Sequence, residues 1–115
     1  MHMSVSYPLT DQQIQYLKNN PIVEALKTVY DPEIPVNIYD LGLIYEVDLN
    51  EQGIVFIKMT LTSAGCPFAQ TLPSIVEEAV NNIPEVVETQ VELVWDPPWS
   101  KENISEAARL ELGLL

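Results

Sequence analysis

The chain has 115 residues, 47% of them hydrophobic, and 17 acidic against 5 basic side chains give a formal net charge of −12. That length fits one domain with a packed core, and the acidic surplus removes the attraction on which binding to phosphate backbones depends, so neither nucleic acid nor an anionic membrane is expected as a partner. One cysteine and one histidine exclude an internal disulfide and the usual cysteine-rich structural zinc sites within a single chain, and they suit a reducing, cytoplasmic setting.

No apolar run approaches the roughly 18 residues of a membrane helix, and Met1-His2-Met3 has neither the charged nor the apolar region of a signal peptide. Residues 1–20 read as an N-terminal extension and residues 21–115 as a single domain, with no repeat, low-complexity tract or linker. In the extension, Thr10-Asp11-Gln12-Gln13 is a capping box ahead of a short helix carrying Ile14 and Leu17. Asn20-Pro21 restarts the helix with Asn20 as cap, and Ile22, Val23, Leu26, Val29 and Tyr30 then recur at helical spacing on what is expected to be a buried face.

Asp31-Pro32-Glu33-Ile34-Pro35-Val36 is a stiff, non-helical loop with two carboxylates, because two close prolines disfavour helix. After Asp40 and a turn at Gly42, Leu43, Tyr45, Val47 and Leu49 alternate with Glu46 and Asp48 as a half-buried strand. A hairpin at Asn50-Glu51-Gln52-Gly53 leads into a second strand from Ile54 to Thr62. Val55, Ile57, Met59 and Leu61 share its core face, and Lys58, Thr60 and Thr62 lie on the other. Phe68, Leu72, Ile75, Val76, Ala79, Val80 and Ile83 follow the spacing of a helix packed along a sheet, with Glu77, Glu78, Asn81 and Asn82 towards water. Pro84 breaks that helix. Val87, Thr89, Val91, Leu93 and Trp95 then alternate with polar residues as a third strand.

The chain closes with Trp95-Asp96-Pro97-Pro98-Trp99, a rigid loop suited either to capping the core or to meeting a partner, and with a helix begun by Ser105 and stopped near Gly113. The order helix, strand, strand, helix, strand defines an α+β domain.

Between the second strand and the long helix stands Gly65-Cys66-Pro67, which fits a helix start with Cys66 as cap and Pro67 at the first helical position. Backbone N–H groups at a helix start favour thiolate over thiol and make a cysteine reactive or ready to bind metal. The alternative is a buried, inert cysteine filling space. A histidine-assisted nucleophile is unsupported, since His2 sits at the terminus, and no glycine-rich phosphate loop is present.

Carboxylates remain. Antiparallel pairing puts the start of the first strand beside the end of the second, so Asp40 and Glu33 can approach Cys66 near the hydroxyls of Thr60, Thr62 and Ser63. A mixed thiolate and carboxylate set suits iron or zinc; the competing reading is that Asp31 and Glu33 are solvated or cap nearby amides. One thiolate per chain cannot hold an ordinary iron-sulfur cluster alone, so any cluster is shared across a symmetric dimer or with external thiols, and is labile.

Four ordered motifs carry a family resemblance. They are Asp31-Pro32-Glu33-Ile34-Pro35-Val36-Asn37-Ile38 with Asp40-Leu41-Gly42-Leu43-Ile44-Tyr45, Met59-Thr60-Leu61-Thr62 with Gly65-Cys66-Pro67, Trp95-Asp96-Pro97-Pro98-Trp99, and Ser105-Glu106 through Leu110-Glu111-Leu112-Gly113. Together they resemble the SufT family of iron-sulfur cluster assembly factors, within a wider group that includes PaaD-like proteins.

The resemblance implies a two-layer α/β sandwich, with an α-β-β-α-β core and a short C-terminal helix, similar to the NifU C-terminal scaffold domain. It implies an auxiliary, non-enzymatic role in cluster assembly or transfer, with Cys66, Asp40 and Glu33 as transient cluster or iron ligands and Asp31, Thr60, Thr62, Gly65 and Pro67 supporting them. Asp96, Pro97, Pro98 and Trp99 are the expected contact for other assembly proteins and apo-protein targets. Ala64 stands where the family often has proline, and the C-terminal cysteine cluster of PaaD-like members is missing, which argues against their ring-hydroxylating pathway. A thiol or persulfide enzyme with Cys66 as nucleophile and a metal-free adaptor are the alternatives.

Overall fold

The structure is a computed structural model that describes residues 7–32, 34–63 and 71–113. The elements in order are α1 (Asp11–Asn19), α2 (Pro21–Leu26), β1 (Ile44–Leu49), β2 (Ile54–Met59), α3 (Leu72–Asn81), β3 (Glu88–Leu93), a 3-10 turn at Lys101–Asn103, and α4 (Glu106–Glu111). The mixed α+β order expected from the periodicities is the order found. The three strands form one sheet, β1-β2-β3. β1 and β2 pair antiparallel across the Asn50 turn, and β2 and β3 pair parallel with α3 in the connection.

Local chemistry sets the element ends. Thr10 Oγ1 accepts from the amide of Gln13 at 3.2 Å while Gln13 Oε1 accepts from the amide of Thr10 at 2.8 Å, closing the capping box. Asn20 departs from expectation: its side chain makes no cap bond to α2, and its Nδ2 instead donates to the carbonyl of Tyr16 at the end of α1. The fixed φ of Pro21 at the first helical position is sufficient to restart the helix. Asn50 Oδ1 accepts from the amides of both Gln52 and Ile54 at 3.0 Å and so forms the hairpin turn. Ser105 Oγ accepts from the amide of Ala108 and opens α4.

One core joins all layers. Val55, Ile57 and Met59 from the central strand, and Leu61 two residues past its end, share a core with Ile22 and Leu26 of α2 and Val76 and Val80 of α3. Leu9 and Leu17, from residues 1–20, are buried in the same core. Several expected core positions are exposed. α2 ends at Leu26, so Tyr30 lies beyond the helix, pairs through its backbone with Asn37 and is 59% exposed. Ile75 points out from α3, and Val87 and Trp95 lie outside β3, which ends before the alternation does. The helix α3 begins at Leu72; the expected cap at Cys66 and Pro67, together with Phe68, falls outside the described residues.

Candidate functional site

The acidic loop is fixed to the end of the sheet by a run of backbone hydrogen bonds. The amide of Thr60, just past β2, donates to the carbonyl of Leu43 at 2.8 Å; the amide of Leu43 donates to Ile38 at 3.1 Å, and that of Ile38 to Val29 at 2.8 Å. Residues 29–43 therefore fold back onto the C-terminal end of β2, from which the chain continues towards Cys66. The sheet register explains this: Ile44 lies opposite Met59, so the chain entering β1 must arrive beside the chain leaving β2.

Within this loop the two described carboxylates do different work. Asp31 is buried, 7% exposed, and its Oδ1 accepts from the amide of Ile34 at 3.0 Å, capping its own turn. Asp40 is half-buried. Its Oδ2 accepts from Asn37 Nδ2 at 2.8 Å, and its amide donates to Asn37 Oδ1 at 2.8 Å, so the two side chains and the backbone lock one another. Asn37 was not singled out from the sequence; its position three residues before Asp40, the spacing of a reciprocal capping pair, is the signal that marks it.

Thr60 is the third feature. Past β2 the alternation continues, with Met59 and Leu61 facing the core, so Thr60 belongs to the side that Phe56 and Lys58 expose to water. It was expected on that polar side, yet it is 0% exposed. Among the described residues its Oγ1 is the one buried side-chain polar atom without a hydrogen-bond partner. The other buried hydroxyl, that of Thr89, donates to Asn81 Oδ1 at 2.7 Å. A buried hydroxyl left unpaired costs about 1–3 kcal/mol.

The C-terminal segment closes the same corner. Trp99 Nε1 donates to the carbonyl of Leu41 at 2.7 Å, the amide of Ser105 donates to the carbonyl of Asp40 at 2.7 Å, and Tyr45 Oη donates to the carbonyl of Pro97 at 2.8 Å. Trp99 thus packs against the core, while Trp95, Asp96, Pro97 and Pro98 face solvent. Thr62 is half-buried and Ser63 exposed. Glu33, Gly65, Cys66 and Pro67 lie outside the described residues. Among the described residues, no three histidine, cysteine, aspartate or glutamate side chains cluster as a metal site.

The structure therefore brings Asp31, Asp40 and Thr60 to one end of the sheet. A surface groove lined by Leu9, Gln12, Gln13, Tyr16, Leu17 and Glu85 lies at the other end, where β2 begins. No described helix is long and apolar enough to cross a membrane.

This is a small α+β domain whose distinguishing chemistry is an acidic loop stapled to the strand that leads to its single cysteine. Residues 19–93 match the family described as iron-sulfur cluster assembly protein, and the chain belongs to that family. It is 47% identical over 98 residues to the Fe-S protein maturation auxiliary factor YitW of Bacillus subtilis, covering 85% of this chain and 95% of that protein. It is 41% identical over 86 residues to the Fe-S protein maturation auxiliary factor SufT of Staphylococcus aureus, covering 75% of this chain and 98% of that protein. The crystal structure of a domain of unknown function from Bacillus anthracis superposes with a TM-score of 0.84 at 40% identity, covering 92% of this chain and all of that one.

Proposed function

We propose that the protein is an auxiliary factor for iron-sulfur cluster assembly or transfer in the cytoplasm, with the iron or cluster as its cargo and Cys66 as the transient sulfur ligand. The observation that carries this reading is the stapling of the acidic loop to the strand end that leads to Cys66, through the bond from Thr60 to Leu43. Membership of the cluster assembly family supports it.

Asp40 and Glu33 complete a mixed sulfur and oxygen set suited to iron. Asp31, Thr62, Gly65 and Pro67 shape the surroundings. Each chain has one cysteine, so a bound cluster is shared with a second copy of the chain or with external thiols, and exchange is easy. The protein works by ligand exchange, without catalysis: the only histidine is His2, remote in sequence from Cys66, so the sequence offers no cysteine-histidine pair for a nucleophile. Other assembly proteins and apo-protein targets meet the exposed rim at Asp96, Pro97 and Pro98, which Trp99 holds from behind.

Anaerobic reconstitution with iron and sulfide tests the reading. Wild type is expected to develop visible absorbance that is lost on incubation with apo-protein acceptors, and Cys66→Ser is expected to develop little. An equal chromophore in both, or none in either, overturns direct ligation by Cys66.

A further inference from the structure

One face of the sheet is open. Among the described helices only α3, on β3, and α1, on β1, pack against the strands. Val55, Ile57 and Met59 point into the core, while Glu46, Asp48, Phe56, Lys58, Gln90 and Glu92 on the opposite face are exposed. The register sets these six residues in two rows: Lys58 lies opposite Glu46 of β1 and Glu92 of β3, and Phe56 lies opposite Asp48 and Gln90. Aromatic side chains stabilise a sheet by pairing with aromatic or β-branched neighbours across the strands, and Phe56 has neither. Its ring is 41% exposed, in a shallow hollow of about 230 Å³ bordered by Glu46, Lys58, Gln90 and Glu92.

The charge around that ring has one sign. Glu46 and Asp48 flank it on β1 and Glu88 and Glu92 on β3, with Lys58 between them and Lys18 reaching Asp48 from α1. The ion pairs, Lys58 with Glu46 at 3.8 Å and Lys18 with Asp48 at 3.9 Å, are long and open to water, so little is lost when another cation replaces them. Glu88 and Glu92 have no ion-pair partner among the described residues.

We propose that this face docks a basic, amphipathic helix of a partner protein, with its apolar stripe on Phe56 and its arginine or lysine side chains on the carboxylates to either side. Neighbouring strands lie about 4.8 Å apart, so the acidic rows of β1 and β3 stand roughly 10 Å from each other, the width of a helix. Opposite charge steers such a helix and fixes its register, and the aromatic anchor holds it. A second copy of this chain does not fit, because face to face it sets carboxylate against carboxylate. The inference uses neither Cys66 nor the rim at Asp96, Pro97 and Pro98.

The probe is a peptide of about 14 residues, roughly 21 Å long as a helix, with leucines along one side and arginines flanking them; a control peptide has the same composition without the helical period. Added to the isotope-labelled intact chain without iron, the probe is expected to shift the NMR signals of amides 46–48, 56–58 and 90–92. Phe56→Ala is expected to weaken binding about tenfold. Glu46→Gln combined with Glu92→Gln is expected to do the same at low salt and less at high salt. Glu78→Gln combined with Glu111→Gln removes equal charge from exposed positions of α3 and α4. That control variant is expected to stay within about twofold of wild type.

Shifts centred on α1 or on the Asp96 rim, equal affinity in wild type and Phe56→Ala, or equal binding of the control peptide overturn the inference. Shifts of the same amides on concentrating the protein alone also overturn it, and assign the face to self-association. None of these outcomes bears on the ligand role of Cys66, which the reconstitution experiment decides separately.

Discussion

The indole Nε1 of Trp99 donates to the carbonyl of Leu41 at 2.7 Å, joining positions 58 residues apart in the chain. The neighbouring bond from the Ser105 amide to the carbonyl of Asp40 runs the same way, so the C-terminal segment holds the end of the acidic loop by two successive carbonyls. Whatever Asp40 does in the site depends on residues that follow the sheet.

Trp99→Phe keeps the ring packing and deletes the donor. Leu41 is fully buried, so its carbonyl is left without that partner. The expected loss is about 1–3 kcal/mol of stability, measured by urea unfolding at an unchanged m-value. A loss below about 0.5 kcal/mol, the range of an indifferent surface substitution, would show that the bond is replaced by water.

Gly42 is the hinge of the same corner. Its φ of +78° is a left-handed conformation, and a Cβ placed there would sit 2.2 Å from the carbonyl oxygen of Asn103. Gly42→Ala therefore combines backbone strain of about 1–2 kcal/mol with a clash against the backbone of Asn103, two residues before the Ser105 amide that bonds Asp40. Gly113 has a nearly equal φ of +76° but nothing within 4 Å. Gly113→Ala is expected to cost only the strain. Thermal unfolding of both should separate them clearly; similar melting temperatures would mean that the 3-10 turn at Lys101–Asn103 shifts freely.

The order of elements was legible because each carries its own period. Val55, Ile57, Met59 and Leu61 alternate and are buried, and the Thr10 and Ser105 caps stand where their sequences place them. What the periods did not reveal is where each element stops. Tyr30 continues the spacing of α2 and Trp95 that of β3, yet both are exposed, because a loop pairing at Tyr30 and the end of the β2 to β3 ladder at Leu93 overrule the local pattern. Of the candidate site, the sequence shows the residue types gathered in one segment. The division of labour between Asp31 and Asp40 was not legible, since it depends on which backbone amides each carboxylate meets after folding.

Helix capping offers a sharp comparison between two residues that look alike in sequence. Thr10 makes both bonds of a capping box, and Thr10→Ala is expected to cost about 1 kcal/mol. Asn20 makes no cap bond to α2 and only an exposed bond back to Tyr16. Asn20→Ala is expected to stay within about 0.5 kcal/mol. Chemical denaturation of the two variants checks the order, and a larger loss at Asn20 would reverse the assignment.

Asp31 and Asp40 should separate in the same way, stability at one and iron affinity at the other. Asp31 is buried with Oδ1 on the Ile34 amide, so Asp31→Ala takes the acceptor from that part-buried amide and is expected to lower apo-protein stability by about 1–3 kcal/mol. Asp40 is half-buried, and Asp40→Asn preserves an acceptor for Asn37 Nδ2 while removing the charge; its apo-protein is expected to unfold within about 1 kcal/mol of wild type. Ferrous iron affinity, measured anaerobically by competition with a chromophoric chelator, is expected to fall at least about tenfold in Asp40→Asn, because a charged oxygen ligand has been lost. Asn37→Ala leaves the Asp40 carboxylate charged but unheld, and removing such an orienting partner typically costs about 10–100-fold in metal affinity. Unchanged affinity in both variants would remove Asp40 from the ligand set and leave it, with Asn37, as a turn that shapes the entry to β1.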